Sequence, residues 1–169
     1  MIKEARMKQN EIPAPDDPAE RMHQEVLARF SSMLDTFDFN ARISALGIGR
    51  MQFSRRRSAR RELRAMYVGL WKLALNRSFP EKSGELFEKF LDPSAAGSRR
   101  KQAEAASFRE LCLEYVKILE VEGDTNFINV AILLCQHLGR TGQQDLRASS
   151  LQLALDMRSM YHTIFEHLI

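Results

Sequence analysis

The chain has only two cysteines, Cys112 and Cys135, and that scarcity closes off two architectures. Two thiols so far apart build no disulfide framework, and their spacing suits no zinc ligand set. Each sits in an apolar helical stripe, beside Leu111 and Leu113 or beside Leu134, where free cysteine packs as a small hydrophobe. No proline follows Pro93, and runs rich in Val, Ile and Thr are missing, so strands are not expected. Long apolar runs are lacking too. The longest, Val130–Cys135, falls far short of the roughly 20 residues a membrane-spanning helix needs. Met1 to Glu11 alternates Lys3, Glu4, Arg6, Lys8 and Glu11 and has no apolar core like that of a secretory signal. These absences lead us to expect a cytoplasmic protein with no membrane partner.

Motifs that carry chemistry are absent as well. There is no Gly-x-Ser-x-Gly elbow. Gly47 and Gly49 complete neither the dinucleotide fingerprint nor the phosphate-loop pattern. A di-iron bundle needs two Glu-x-x-His motifs, and only Glu20-Arg21-Met22-His23 is present. His162 and Glu166 share a helical face at i, i+4, with His167 alongside, as in ordinary surface decoration. No catalytic residue, metal or cofactor is therefore implied, and the chain is expected not to be an enzyme.

What is present is helix-forming material. Leu, Ala, Met, Glu, Gln and Arg dominate a chain of 169 residues that is 44% apolar and 28% charged, enough for one domain with its own core. Residues 1–16, with Pro13 and Pro15, read as a flexible arm, and residues 17–169 as a single helical domain. Asp17-Pro18 starts a first helix, with Met22, Val26, Phe30, Met33 and Phe37 on one face. Residues 38–53 read as a reversal in which Asn40 could cap a short turn. A second helix runs from about Ser54 or Ser58 to Asn76, and Ser78 with Glu81 forms a capping box for a short third one. Asp92 to Gly97 is a linker. Further helices are expected over Ser98–Glu122, Thr125–Leu138 and from Thr141 onward, punctuated by Gly123 and Gly139. The segment 125–138 is apolar nearly all round, so it is expected at the centre of an all-α, irregular bundle of five to six helices.

Three features suggest binding. The first is a charge asymmetry: residues 41–80 carry ten basic groups against Glu62 alone, whereas the two flanks are each net acidic. Arg50, Arg55, Arg56, Arg57, Arg60, Arg61 and Arg64 fall within 15 residues, and like charges at i, i+3 and i, i+4 repel by a few tenths of a kcal/mol each. Relief can come from acidic groups inside the fold, with Glu104, Glu110, Glu114, Glu120 and Glu122 as candidates. It can also come from an acidic partner or from phosphate, which guanidinium matches bidentately. The second feature is a last helix with two apolar stripes, the extra one formed by Leu151, Leu155 and Phe165, which suggests a homodimer. The third is a narrow polar side of 125–138, Asn129, Gln136 and His137, where a small-molecule pocket could sit. The leading expectation is a self-associating protein-interaction module. The alternatives are a nucleic-acid-associated protein using residues 50–64 and a small-molecule-binding bundle.

Overall fold

The computed structural model describes residues 18–92, 97–140 and 142–168, without the side chains of 143–145. The expected arm and the proposed Asp17 cap lie outside these residues, as does Thr141. The described residues form an all-α bundle of seven helices: α1 (Pro18–Thr36), α2 (Phe39–Ala45), α3 (Phe53–Ser78), α4 (Ser83–Leu91), α5 (Arg99–Glu122), α6 (Ile128–His137) and α7 (Gln143–Leu168). The count exceeds expectation because residues 39–45 make a true helix. Asp38, not Asn40, caps it, its Oδ1 accepting the Ala41 N–H at 3.0 Å. Gly47, at φ +72°, closes it with a Schellman turn in which the Ile48 N–H reaches the Ile43 carbonyl. Ser78 ends α3 and does not cap α4, which starts at Ser83.

The centre of the bundle is α3, and not the 125–138 segment. It packs against all six other helices. From Leu63 to Leu75 nearly every residue is buried, including Ala65, Val68 and Gly69 on the side away from the bulky stripe. Helix α6 buries Val130, Ala131, Leu134 and Cys135, mainly against α7, but its polar side reaches solvent. At about 1.5 Å per residue its ten residues span roughly 15 Å, against roughly 39 Å for the 26 residues of α3.

Small residues allow α5 to lie close along α3. A methyl group added at Gly69 would stand 3.3 Å from Tyr115 Cβ and 3.0 Å from a Leu119 methyl. Tyr115 Cβ is fixed to its own helix and cannot swing away. Gly69→Ala gains about 1 kcal/mol of helix propensity, but overpacking costs roughly 1–3 kcal/mol. The variant should therefore unfold at lower denaturant concentration than wild type, and a more stable variant would show that the α3–α5 contact is looser than this.

Aromatic rings tie α1 and α4 to the other side of α3. Phe30 stacks on Trp71 with centroids 4.2 Å apart, and Phe90 meets both rings. Tyr67 extends the group to Phe37 and Phe39. Both cysteines are fully buried, as their stripes implied.

Candidate anion-binding face

Helix α3 has two halves. The second is core, and the first is the arginine segment, which begins beyond the core on an uncapped Gln52 with no acidic residue in its first turn. Cations there oppose the positive end of the helix dipole, at a cost of roughly 0.3–1 kcal/mol each when exposed. Glu62, the one acid of this stretch, does not relieve it. Glu62 points to α5 and α6, where its Oε2 accepts the Tyr115 hydroxyl at 2.7 Å and lies 2.9 Å from His137 Nδ1.

The arginines are instead held by neutral oxygens. Arg56 donates to the Ile48 carbonyl at 3.0 Å and to Asn40, and Arg60 donates to the same Asn40 Oδ1 at 2.6 Å. Arg61 donates to Ser107 Oγ at 2.6 Å, and Arg55 makes long bonds of 3.4 Å to Gln52 and the Leu138 carbonyl. Among the described residues, Arg50, Arg57 and Arg64 have no hydrogen-bond or ion-pair partner, and no carboxylate comes within salt-bridge distance of any of the seven. Four of the five α5 acids weighed as internal relief are engaged elsewhere, and the fifth, Glu110, makes no ion pair with the cluster among the described residues. Glu104 pairs with Arg100, Glu114 approaches His137, Glu120 accepts from Asn76 and Glu122 from Asn129. Three arginines outside the cluster do reach acids on other elements: Arg42 to Asp156, Arg77 to Asp124 and Arg109 to Glu88.

The same end of the bundle gathers more positive charge. Arg61 beside Ser107, Gly69 beside Tyr115 and Leu119, and Asn76 beside Glu120 show that α3 and α5 run in the same direction. Their first turns therefore share one end, and α5 opens with Arg99, Arg100 and Lys101. Two residues at this end are apolar and open to solvent: Met51 is 83% exposed and Phe53 is 73% exposed. Phe53 stands between Arg50 and Arg55. The sequence alone suggests no stacking aromatic interleaved with the arginines, because Phe53 falls at the end of the 38–53 segment read as a reversal; its exposure puts a ring face at the edge of the cluster.

The other expected sites fall apart from this face. Leu151 and Leu155, one turn apart on α7, are 57% and 63% exposed. Phe165 does not join them: it packs on the core beside Tyr161, with the Arg77 guanidinium 5.9 Å above its ring. Asn129 and Gln136 are exposed, and His137 is engaged by Glu62 and Glu114. A cavity of about 290 Å³ lies elsewhere, between α2, α3 and α7, and none of these three residues lines it.

Burial also fixes how the fold answers alkali. It pushes the Cys112 thiol up to about 12, and raises Tyr115 with help from the Glu62 carboxylate that its hydroxyl bonds. Cys135, Tyr67 and Tyr161 are raised by burial too. These groups are neutral when protonated, so the folded chain holds protons that the unfolded chain releases from about pH 9 upward. Their stabilisation is complete below that pH and is lost as pH climbs through the folded values. Lys72, lowered by burial, works in the opposite sense just below its usual range, but it is one group against five. Urea midpoints should fall steadily above pH 9, and a flat profile to pH 11 would contradict the burial of these groups.

Searches against protein-family models, curated proteins and solved structures find no match to this chain.

Proposed function

We propose that this protein is a non-catalytic binding module that receives nucleic acid on the arginine end of α3. One observation supports the reading above the rest: seven arginines without a carboxylate partner among the described residues, in a fold that supplies carboxylates to arginines elsewhere. The neutral acceptors hold several guanidinium groups in place without cancelling their charge, which leaves donors for phosphate oxygens. Phe53 adds a ring face for a base, and stacking on such a face contributes roughly 1–3 kcal/mol per base. The combination suits a single strand better than a duplex, since no reading helix is set out for a groove.

A labelled single-stranded oligonucleotide titrated over a salt series tests the proposal. Affinity should fall steeply with salt, with a log–log slope of about 0.7 per phosphate contact. Phe53→Ala should weaken binding with the slope unchanged, which separates stacking from charge. Salt-independent binding, or none, would overturn the reading. A pull-down with and without nuclease then distinguishes nucleic acid from an acidic protein partner.

A second reading rests on its own observation. Two large leucines one turn apart on α7 are more than half exposed, and we propose that this face pairs two copies of the chain. We further propose that it acts in a reducing compartment such as the cytoplasm, where its two buried thiols stay free.

A further inference from the structure

Helices α2, α3 and α7 do not close completely on one another. They leave a cavity of about 290 Å³, at the small end of the roughly 300–1,000 Å³ typical of ligand pockets. Its floor is apolar: Leu63, Met66, Leu153 and Met160 are all buried, and Phe37 and Leu46 complete the walls. Interiors normally pack to crystal-like density, so an apolar space of this size among buried leucines and methionines is itself unusual.

The rim has a different chemistry. Arg42 of α2 and Asp156 of α7 form an ion pair at 2.9 Å across the mouth and are partly exposed. They cancel each other. Arg140, just before α7, does not take part in that pair. Its guanidinium donates to Ser149 Oγ at 2.5 Å and to the Leu46 carbonyl, both neutral, and it has no carboxylate partner among the described residues. Among the described residues, two of its five N–H donors are engaged, which leaves the others for a ligand. The mouth thus carries one net positive charge above an apolar floor.

We infer that this cavity binds an apolar monocarboxylate, a medium-length aliphatic or single-ring aryl acid, with its chain among Leu63, Met66 and Met160 and its carboxylate on Arg140. Size limits the ligand to one chain or one small ring system. The single net charge selects an acid over an alcohol or an amine, and Asp156 repels a dianion such as a phosphate monoester. This site is separate from the arginine end of α3 and does not depend on it.

Calorimetric titration with decanoate, 1-decanol and decylamine tests the assignment. Decanoate should bind saturably at one site per chain, at least tenfold tighter than the alcohol, with the amine weakest. Arg140→Gln should lose at least tenfold for decanoate while leaving 1-decanol unchanged, and that unchanged value reports that the pocket is still formed. Ala148→Trp, at the exposed rim, should block both ligands with no change in helical circular dichroism. The inference fails if decanoate shows no saturable binding to millimolar concentration. It also fails if acid and alcohol bind alike in wild type and Arg140→Gln, or if the amine binds best.

Discussion

Replacing Arg57, Arg61 and Arg64 together by glutamine should leave the melting temperature unchanged or slightly higher while nucleic-acid binding collapses. The stability half of this result follows from what the three side chains do in the fold. Arg57 and Arg64 have no partner among the described residues, and Arg61 gives one exposed bond to Ser107. That bond contributes about 1 kcal/mol at most, and relieving repulsion at 57/60, 57/61, 60/64 and 61/64 returns a few tenths for each pair. Glutamine retains helix propensity and much of the stem. The binding half follows from charge. Three phosphate contacts at roughly 1 kcal/mol each correspond to about a hundredfold in Kd, and the log–log salt slope should flatten by up to about two. Melting curves and oligonucleotide titrations on the same preparations check both halves. A marked drop in melting temperature with binding intact would mean that the cluster is structural, satisfied by groups outside the described residues.

The features legible in the sequence were those that depend on chain-local physics. The 3.6 period and the absence of strand-formers gave the all-α bundle, and Gly123 and Gly139 marked helix ends where the structure has them, both at positive φ. Hydrophobicity averaged over whole helices points to the wrong central element. Arginines dilute the first half of α3, so its largely buried second half reads as ordinary, and the short, undiluted α6 reads as central. Ala65, Val68 and Gly69 were the overlooked signal, since small residues opposite a bulky stripe mark a helix packed on both sides. For the arginine face, the shortage of acids is visible in the sequence, where Glu62 is the one acidic residue of 41–80. The acceptors that hold the guanidinium groups were not, because Asn40, Ser107 and the Ile48 and Leu138 carbonyls come from four different places in the chain. Exposure was equally hidden: nothing local distinguishes Phe53, at the surface, from Phe30, stacked on Trp71.

Changing Leu151 and Leu155 to glutamate should convert a dimer of the chain into a monomer without unfolding it. Both side chains are more than half exposed, so the double variant places no charge in the core, whose α7 contribution is Leu153, Met157, Met160, Tyr161 and Ile164. In a two-fold pairing of α7 helices every contact occurs twice, so two leucines per copy place four side chains at the interface, and burying them contributes roughly 1.5–3 kcal/mol apiece at full burial, less from their half-exposed start. Introducing four carboxylates into the same contact both removes that gain and adds repulsion, which is ample to dissociate a micromolar dimer. Phe165 serves as the internal control. Because it packs on Tyr161 and under Arg77, Phe165→Ala should lower the melting temperature and leave the association state alone. Light scattering at micromolar concentration should therefore read about twice the 19.5 kDa chain mass for wild type and Phe165→Ala, and the single mass for the double glutamate. A wild-type chain that runs as a monomer throughout that range would remove the self-association reading.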